Sequence, residues 1–488
     1  MPWLVMGLAV ALRAWKLGEW SLWEDEETTI YFSQNIARPF PRFFPVFFVM
    51  LREWFQVTGL SVSAGRALAA AIGVVGVGVT YEVCRRLVSR SAGLWAALLL
   101  TVNLGHLFWS QSVRYFGLLL VLEVLSLYWF YQGFERRKPW LLLASNAAFG
   151  LALWTHFSAV LLVPVFVGYL LLAGCWPRLA EFVRRPTRDQ SARNATEGCM
   201  RNATEGVPYR LRDYAAFGIP LAILMVAFAK SMLDAKALLS TMTMPSARNP
   251  LHVMVTLAAY AGLPTLALAA LAPLVAGHLP RRTLMLLACC AWVPVAELAV
   301  IAQLNLVNVT WYYAIVVLFG VVALAGVALA SLAERGRGKA VAALGLVCAL
   351  YAAVNLGAYY TAMYGDRPRW RDAAEYVRTT AGVDPASSAN PAVYANVPGV
   401  VAFYLGTAPG ATMGDKLVEM LPDGSPSGRP EREQWYVIEA GHATPTFRAW
   451  LESSCDREAS FAAHTGPRDR TITIYRYRGP LGDTARND

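Results

Sequence analysis

The chain of 488 residues is 56% hydrophobic and only 16% charged, which is too apolar for an ordinary soluble domain. We therefore expect a polytopic membrane protein that has the lipid bilayer as its surroundings. The formal charge of +10 could suggest nucleic-acid binding, but the basic residues stand in short clusters between apolar segments, where they orient membrane helices. No nucleic-acid partner is expected.

About eleven apolar segments are long enough to cross a bilayer core, which requires roughly 20 helical residues. In chain order they lie at 1–17, 62–84, 91–109, 113–133, 139–155, 157–176, 214–233, 251–277, 283–303, 311–333 and 340–362. With a cytoplasmic N-terminus, every basic cluster between spans falls on the cytoplasmic side, as the positive-inside rule requires. This topology predicts a multi-pass protein of the cell (inner or plasma) membrane.

The character of the chain changes after residue 362. Residues 370–380 have helical spacing, whereas "AVYANV", "WYVIEA" and "TITIYRYR" are β-branched and aromatic and predict short strands. We expect an all-α membrane domain over 1–362 and an α/β domain over 363–488. The topology places the latter on the extracytoplasmic side, together with a first loop at about 18–61.

The first loop contains "SLWEDEETT", residues 21–29, in which four acids follow one another from Glu24 to Glu27. Like charges and partial desolvation at a membrane surface raise the pKa of a carboxylate, which suits it to take a proton from a hydroxyl. The alternative is a helix N-terminus, whose dipole favours acids. Beyond the acids, prolines divide an aromatic stretch, so we expect two short helices along the membrane surface.

Several cationic or protonatable residues stand at the same ends of the predicted spans as the acids. Arg66 opens the second span, Arg114 and Tyr115 open the fourth, and His156 closes the fifth; Arg42 lies on a surface helix. Singly, each could cap a helix or extend towards the interface. Together they predict a site that holds a phosphate beside a base.

The run from "ALRAWKLGEWSLWEDEETT" to "GRALAA" resembles the opening of the GT-C glycosyltransferases. More narrowly, it is similar to the dolichyl-phosphate-mannose protein mannosyltransferase and lipid A aminoarabinose transferase group. The features that match are Arg13 late in the first span, Trp23 before the acidic pair Asp25-Glu26, the proline-broken aromatic segment, and Arg66.

The resemblance implies a GT-C fold and the transfer of a sugar, with inversion, from a polyprenyl-phosphate donor to an acceptor hydroxyl on the outer side. It implies that Asp25 is the base and that Glu26 orients it or shares its role. Arg66, Arg114, Tyr115, His156 and Arg42 would then bind the donor phosphate.

The acceptor is left open between a lipid, a protein and a polysaccharide. Trp23, Tyr312 and Trp370 are candidates for stacking on substrate, although Trp and Tyr also populate membrane interfaces for other reasons. No cofactor is expected, while a carboxylate pair could hold a divalent metal. The alternatives to a glycosyltransferase are a secondary transporter of a small anionic or sugar-like solute and a non-catalytic scaffold.

Overall fold

The structure is a computed structural model that describes residues 2–183, 209–240, 250–304, 311–384, 390–406, 419–420, 433–440, 444–465 and 468–478. The chain begins with α1 (Pro2–Ala14), α2 (Glu24–Gln34), α3 (Pro39–Phe43) and α4 (Pro45–Thr58). Proline opens both α3 and α4, where its missing N–H costs nothing. The aromatic segment is therefore divided at its prolines as predicted.

The membrane part continues through twelve further helices of the described chain. They are α5 (Val62–Leu87), α6 (Arg90–Val102), α7 (Leu104–Ser110), α8 (Phe116–Glu135), α9 (Pro139–Leu153), α10 (Leu162–Val183), α11 (Leu211–Ser240), α12 (Pro250–Ala261), α13 (Leu263–Val275), α14 (Arg281–Leu304), α15 (Ile315–Glu334) and α16 (Gly338–Tyr360). At the centre, α15 packs against α6, α13 and α14, and its apolar window is fully buried.

Seven helices among the described residues are long and apolar enough to cross a membrane, or up to nine if each of two bent pairs counts as one span. The predicted spans 1–17 and 139–155 correspond to α1 and α9, which have only 13 and 15 residues. A bilayer core requires about 20 helical residues. A multi-pass membrane protein is thus confirmed, whereas the count of eleven spans is not.

The two bent pairs meet at their bends. The pair α6–α7 bends by 66° and the pair α12–α13 by 96°. Asn103 accepts a hydrogen bond from His106 N (2.8 Å) and donates to the carbonyls of Tyr260 (3.0 Å) and Ala261 (3.2 Å). Gly262 has a φ of +87°, which favours glycine. One amide therefore satisfies backbone groups freed by both bends, as an apolar environment requires.

The C-terminal part is an α/β unit, as predicted. Its elements are α17 (Trp370–Thr380), β1 (Ala392–Ala395), α18 (Pro398–Tyr404), β2 (Glu419–Met420), β3 (Gln434–Glu439), α19 (Pro445–Ser454), β4 (Asp456–Phe461), β5 (His464–Thr465), β6 (Arg468–Asp469) and β7 (Ile472–Tyr477). Five of these strands form a sheet in the order β2-β1-β3-β7-β4. Strand β1 is parallel to β2 and β3, whereas β7 is antiparallel to β3 and β4.

The central strand β3 is buried on both faces. Successive side chains point to opposite faces of the sheet, so the two faces have different neighbours. Trp435 and Val437 belong to the core shared with the membrane part, whereas Tyr436 and Ile438 pack with Phe447 of α19. The sheet is thus joined to the membrane part through one face. This joint lies next to the acidic residues of α2, because α18 packs against α2.

Candidate active site

The acidic residues occupy the first turn of α2, which starts directly after Trp23. This agrees with the preference of acids for a helix N-terminus. Successive helical residues point about 100° apart, so each acid meets different surroundings. Glu24 is exposed, Asp25 and Glu27 are partly buried, and Glu26 is fully buried.

Glu26 is enclosed by hydrogen-bond donors. Arg66 donates to both of its carboxylate oxygens at 2.9 and 2.7 Å, the Val113 N–H donates at 2.9 Å, and Arg367 Nε lies 3.4 Å away. Burial by itself would raise the pKa of Glu26, but the two guanidinium groups and the backbone N–H hold it below the ordinary value. A carboxylate with no exposed surface cannot reach an acceptor, so of the two roles predicted for Glu26 the geometry favours orienting Asp25 over sharing its role as base.

Arg66 is equally buried, and its five N–H donors are all engaged. Besides its two bonds to Glu26, it donates to the carbonyl oxygens of Leu17 (3.1 Å), Trp20 (2.9 Å) and Ser21 (2.8 Å). No donor is left for a phosphate. In this arrangement Arg66 fixes the first loop around Glu26, and the phosphate-binding role expected of it from the sequence stays a prediction.

Asp25 faces a different group, the guanidinium of Arg114. The Arg114 Nη2 atom lies 3.3 Å from Asp25 Oδ2, and the Asp25 side chain is 21% exposed. Nη1 of Arg114 donates to the Asp25 carbonyl (3.0 Å) and to Thr29 Oγ1 (2.8 Å), while Nη2 donates to Tyr115 Oη (3.0 Å). Arg114 thus holds Asp25 from two sides. Asp25 is an acid of this turn that is both oriented and accessible.

Aromatic rings continue from Arg114 away from Asp25. The guanidinium lies 4.6 Å from the centre of the Tyr115 ring, and that ring stacks on His156 at 5.0 Å. His156 in turn lies 5.9 Å from Tyr313. Burial, with a further contribution from Arg114, lowers the pKa of His156 to about 3, so its ring is neutral near pH 7. His156 therefore supplies no positive charge to a phosphate and instead packs against the Tyr115 ring.

Glu27 contacts the C-terminal part. Its carboxyl group lies so close to Gly399 of α18 that a Cβ atom at position 399 would be 2.8 Å from Glu27 Oε2. Nearby, the Leu22 N–H donates to Tyr404 Oη at 2.6 Å. Burial, together with the charge of Glu24, raises the pKa of Glu27 to about 7. Glu27 is therefore packed against the C-terminal part rather than solvated.

We expect Glu27→Gln to stabilise the protein at pH 8 and to leave its stability unchanged at pH 4. The folded state binds more protons than the unfolded state between the ordinary value of 4.5 and about 7, so wild-type stability falls as pH rises through this window. Glutamine removes that dependence. Thermal unfolding of both proteins in detergent from pH 4 to pH 8.5 measures it, and parallel curves would contradict the expectation.

Arg42 lies at a cavity of about 490 Å³ between α3 and α11. The cavity is lined by Arg42, Phe43, Ala227, Lys230, Ser231 and Asp234. Two cations and one acid give the lining a net positive charge. Most of the apolar window of α11 is exposed, with only 11% buried, so the helix faces lipid. The phosphate of a lipid is the anion that can enter this cavity directly from the bilayer.

The predicted substrate-binding aromatics divide differently from the expectation. Trp370 is fully buried in the core and Trp23 is 7% exposed, its ring packed 5.8 Å from Phe108 and 6.3 Å from Trp109. Neither tryptophan offers a face to a sugar in this structure, and stacking on substrate stays a prediction for both. The side chain of Tyr312 lies outside the described part of the chain, whereas its neighbour Tyr313 stands against His156.

Arg367 and Lys230 are absent from the site predicted from the sequence. The available signal for Lys230 was a single lysine inside a predicted span, since a charge there is costly and usually functional. Arg367 lies in "DRPRW", a basic stretch after the last span, where nothing local shows that it is buried. Among the described residues, no group of three or more His, Cys, Asp or Glu is arranged to hold a metal ion.

Comparison with known proteins gives matches to sugar transferases. The family model for dolichyl-phosphate-mannose-protein mannosyltransferase matches residues 38–183. ArnT from Cupriavidus metallidurans in the apo state aligns over 97% of both chains at 14% identity, with a TM-score of 0.55. The same protein bound to undecaprenyl phosphate aligns over 98% of both chains at 16% identity, with a TM-score of 0.53.

A more distant enzyme matches as well. The archaeal oligosaccharyltransferase AglB from Archaeoglobus fulgidus, in complex with an inhibitory peptide and a dolichol-phosphate, covers 90% of this chain with 69% of its own. The identity is 12% and the TM-score 0.51. No curated protein sequence matches the chain. Over nearly its whole length the chain has the fold of ArnT and AglB, and the predicted resemblance to the GT-C glycosyltransferases is confirmed.

Proposed function

We propose that this protein is a membrane glycosyltransferase that moves a sugar, with inversion, from a polyprenyl-phosphate donor to an acceptor hydroxyl. The observation that carries the proposal is the orientation of Asp25 by Arg114 in a chain with the fold of ArnT and AglB. The positive-inside pattern of the loops supports placing Asp25 and the C-terminal part on the extracytoplasmic side of the cell membrane.

Asp25 acts as the general base in this mechanism. Its carboxylate takes the proton of the acceptor hydroxyl while the hydroxyl oxygen attacks the anomeric carbon of the donor sugar. The bond from that carbon to the phosphate oxygen breaks, and the polyprenyl phosphate leaves with the electron pair. A single displacement inverts the configuration. Arg114 fixes the direction of the carboxylate, and such orientation supplies a large part of catalysis.

The donor phosphate binds at the cavity lined by Arg42 and Lys230. Negative charge grows on the phosphate oxygens as the bond breaks, so cations placed there stabilise the transition state. The lipid-facing surface of α11 would let the polyprenyl chain remain in the bilayer. The ligands of two similar structures, undecaprenyl phosphate in ArnT and a dolichol-phosphate in AglB, support this class of donor.

Replacing both cations, in Arg42→Gln/Lys230→Gln, is expected to raise the KM for the donor by at least about 100-fold, because two charge-assisted hydrogen bonds are lost. One charge-assisted hydrogen bond contributes about 1.5–3 kcal/mol, and every 1.4 kcal/mol is a factor of ten. Initial rates against donor concentration in detergent micelles measure the change. Arg52→Gln is the matched control, because Arg52 is an exposed arginine on α4 that does not line the cavity. Equal KM values in the double variant and the control would contradict this donor site.

The function itself is tested with purified protein in proteoliposomes that contain polyprenyl-phosphate sugars and lipid, peptide or polysaccharide acceptors. Release of polyprenyl phosphate together with a glycosylated acceptor supports the proposal and identifies the acceptor class. Release of neither, across the donor set, would contradict it.

A secondary transporter is the second candidate, and the bends at Asn103 and Gly262 favour it, since transporters commonly use interrupted helices. The same proteoliposomes separate the two functions. A transporter would accumulate labelled sugar phosphate inside the vesicles without consuming donor lipid, whereas a glycosyltransferase consumes donor without accumulation.

A further inference from the structure

Arg367 joins the C-terminal part of the chain to the site. It lies between α16 and α17 and is fully buried. Its Nη2 atom donates to the carbonyl of Gln111 (2.9 Å) and to Ser112 Oγ (2.7 Å), and its Nε atom lies 3.4 Å from Glu26 Oε2. Its Nη1 atom donates to the carbonyl of Gly365 (2.5 Å). One guanidinium thus contacts two separate segments of the membrane part.

Those two segments carry the proposed base and the group that orients it. Glu26 is the neighbour of Asp25 at the start of α2, and the Gln111–Ser112 turn leads within two residues to Arg114. The position of Asp25 relative to Arg114 therefore depends on how the start of α2 is held against this turn. Arg367 lies between the start of α2 and this turn and contacts both.

Further contacts fix the segments around Arg367. Gln111 Nε2 donates to the carbonyls of Arg13 (3.1 Å) in the last turn of α1 and of Trp15 (2.8 Å) just after it. Arg371 donates to the carbonyls of Glu19 (2.9 Å) and Gly18 (3.0 Å) in the first loop. The ring of Trp20 leaves no room for a Cβ atom at Gly365, whose φ is +66°, so the chain beside Arg367 has little freedom to move.

We propose that Arg367 is a positioning residue, which sets the distance and direction between Asp25 and Arg114 without touching substrate. This inference rests on the proposed function, because it assigns Asp25 as the base. A guanidinium is required here since its planar fork can serve the turn and the carboxylate at once, whereas the ammonium of lysine is a compact point charge. The C-terminal part would then fix the geometry of the site through Arg367.

The test measures kcat and the KM for the donor in Arg367→Lys, alone and combined with Asp25→Asn. A small misplacement of a catalytic group can cost about 10²-fold in rate, so Arg367→Lys should lower kcat by roughly 10- to 100-fold with the donor KM within about threefold. In the Asp25→Asn background the base is already lost, and Arg367→Lys should lower the residual rate by less than about threefold. Arg378→Lys, in an exposed pair with Glu375, is the control.

The results separate the two proposals. Full activity in Asp25→Asn would overturn the assigned base, whereas loss there with an unchanged Arg367→Lys would overturn only the positioning role. Equal losses caused by Arg367→Lys in both backgrounds, or a raised KM at unchanged kcat, would also overturn it. Should Arg367→Lys fail to fold, Ser112→Ala removes one of the hydrogen bonds that Arg367 donates. It should lower kcat severalfold in the wild type and leave the Asp25→Asn rate unchanged, and an unchanged wild-type kcat would contradict the inference.

Discussion

Asp25→Asn is expected to lower the rate of sugar transfer by about 10²- to 10⁴-fold, the range over which a positioned general base accelerates a reaction. Asparagine has nearly the same shape and can still accept a hydrogen bond from Arg114, but it cannot take a proton. The loss should therefore appear in kcat, with the donor KM little changed. Initial rates with a saturating acceptor in detergent micelles measure both quantities.

Glu24→Gln is the matched control for this change, because Glu24 lies one residue earlier in the same helical turn and is exposed. It also removes one negative charge from the cluster, so it corrects for the general effect of charge. We expect its rate to lie within about twofold of the wild type. Equal rates in Asp25→Asn and Glu24→Gln would refute the assignment of the base.

The acids could be located from the sequence but not told apart by it. Asp25, Glu26 and Glu27 are adjacent and carry the same charged group, so no local feature of the sequence distinguishes them. Their roles differ because a helix turns each towards a different partner: Asp25 towards Arg114, Glu26 towards Arg66, Glu27 towards Gly399. All three partners are distant in the chain, and a distant contact has no local signature.

The same reason separates the features that the sequence could predict from those that appear only in the structure. Hydropathy located the spans, because burial in lipid requires long apolar segments. It could not show the bends at Asn103 and Gly262, since they depend on a contact between two helix pairs. Arg66 was singled out for its position at a span end, but its five acceptors include carbonyls of a loop whose path the sequence does not reveal.

Arg66→Met is expected to destabilise the protein by about 3–5 kcal/mol, the cost of removing one partner of a buried ion pair. Glu26 would keep Arg367 and the Val113 N–H but lose both shorter guanidinium contacts. Arg85→Met is the control, because Arg85 stands on the same helix in an exposed pair with Glu82, and exposed pairs contribute little. Thermal unfolding in detergent compares the two variants.

The double variant Arg66→Met/Glu26→Gln separates the ion pair from the loop contacts. If the cost of Arg66→Met comes mainly from the buried carboxylate that has lost its closest charged partner, neutralising Glu26 should recover much of the lost stability. If it comes mainly from the carbonyls of Leu17, Trp20 and Ser21, the double variant should be no more stable than Arg66→Met. We expect the first result, because an unpaired buried charge costs more than an unpaired carbonyl. A smaller loss in Arg66→Met than in Arg85→Met would contradict the central structural role of Arg66.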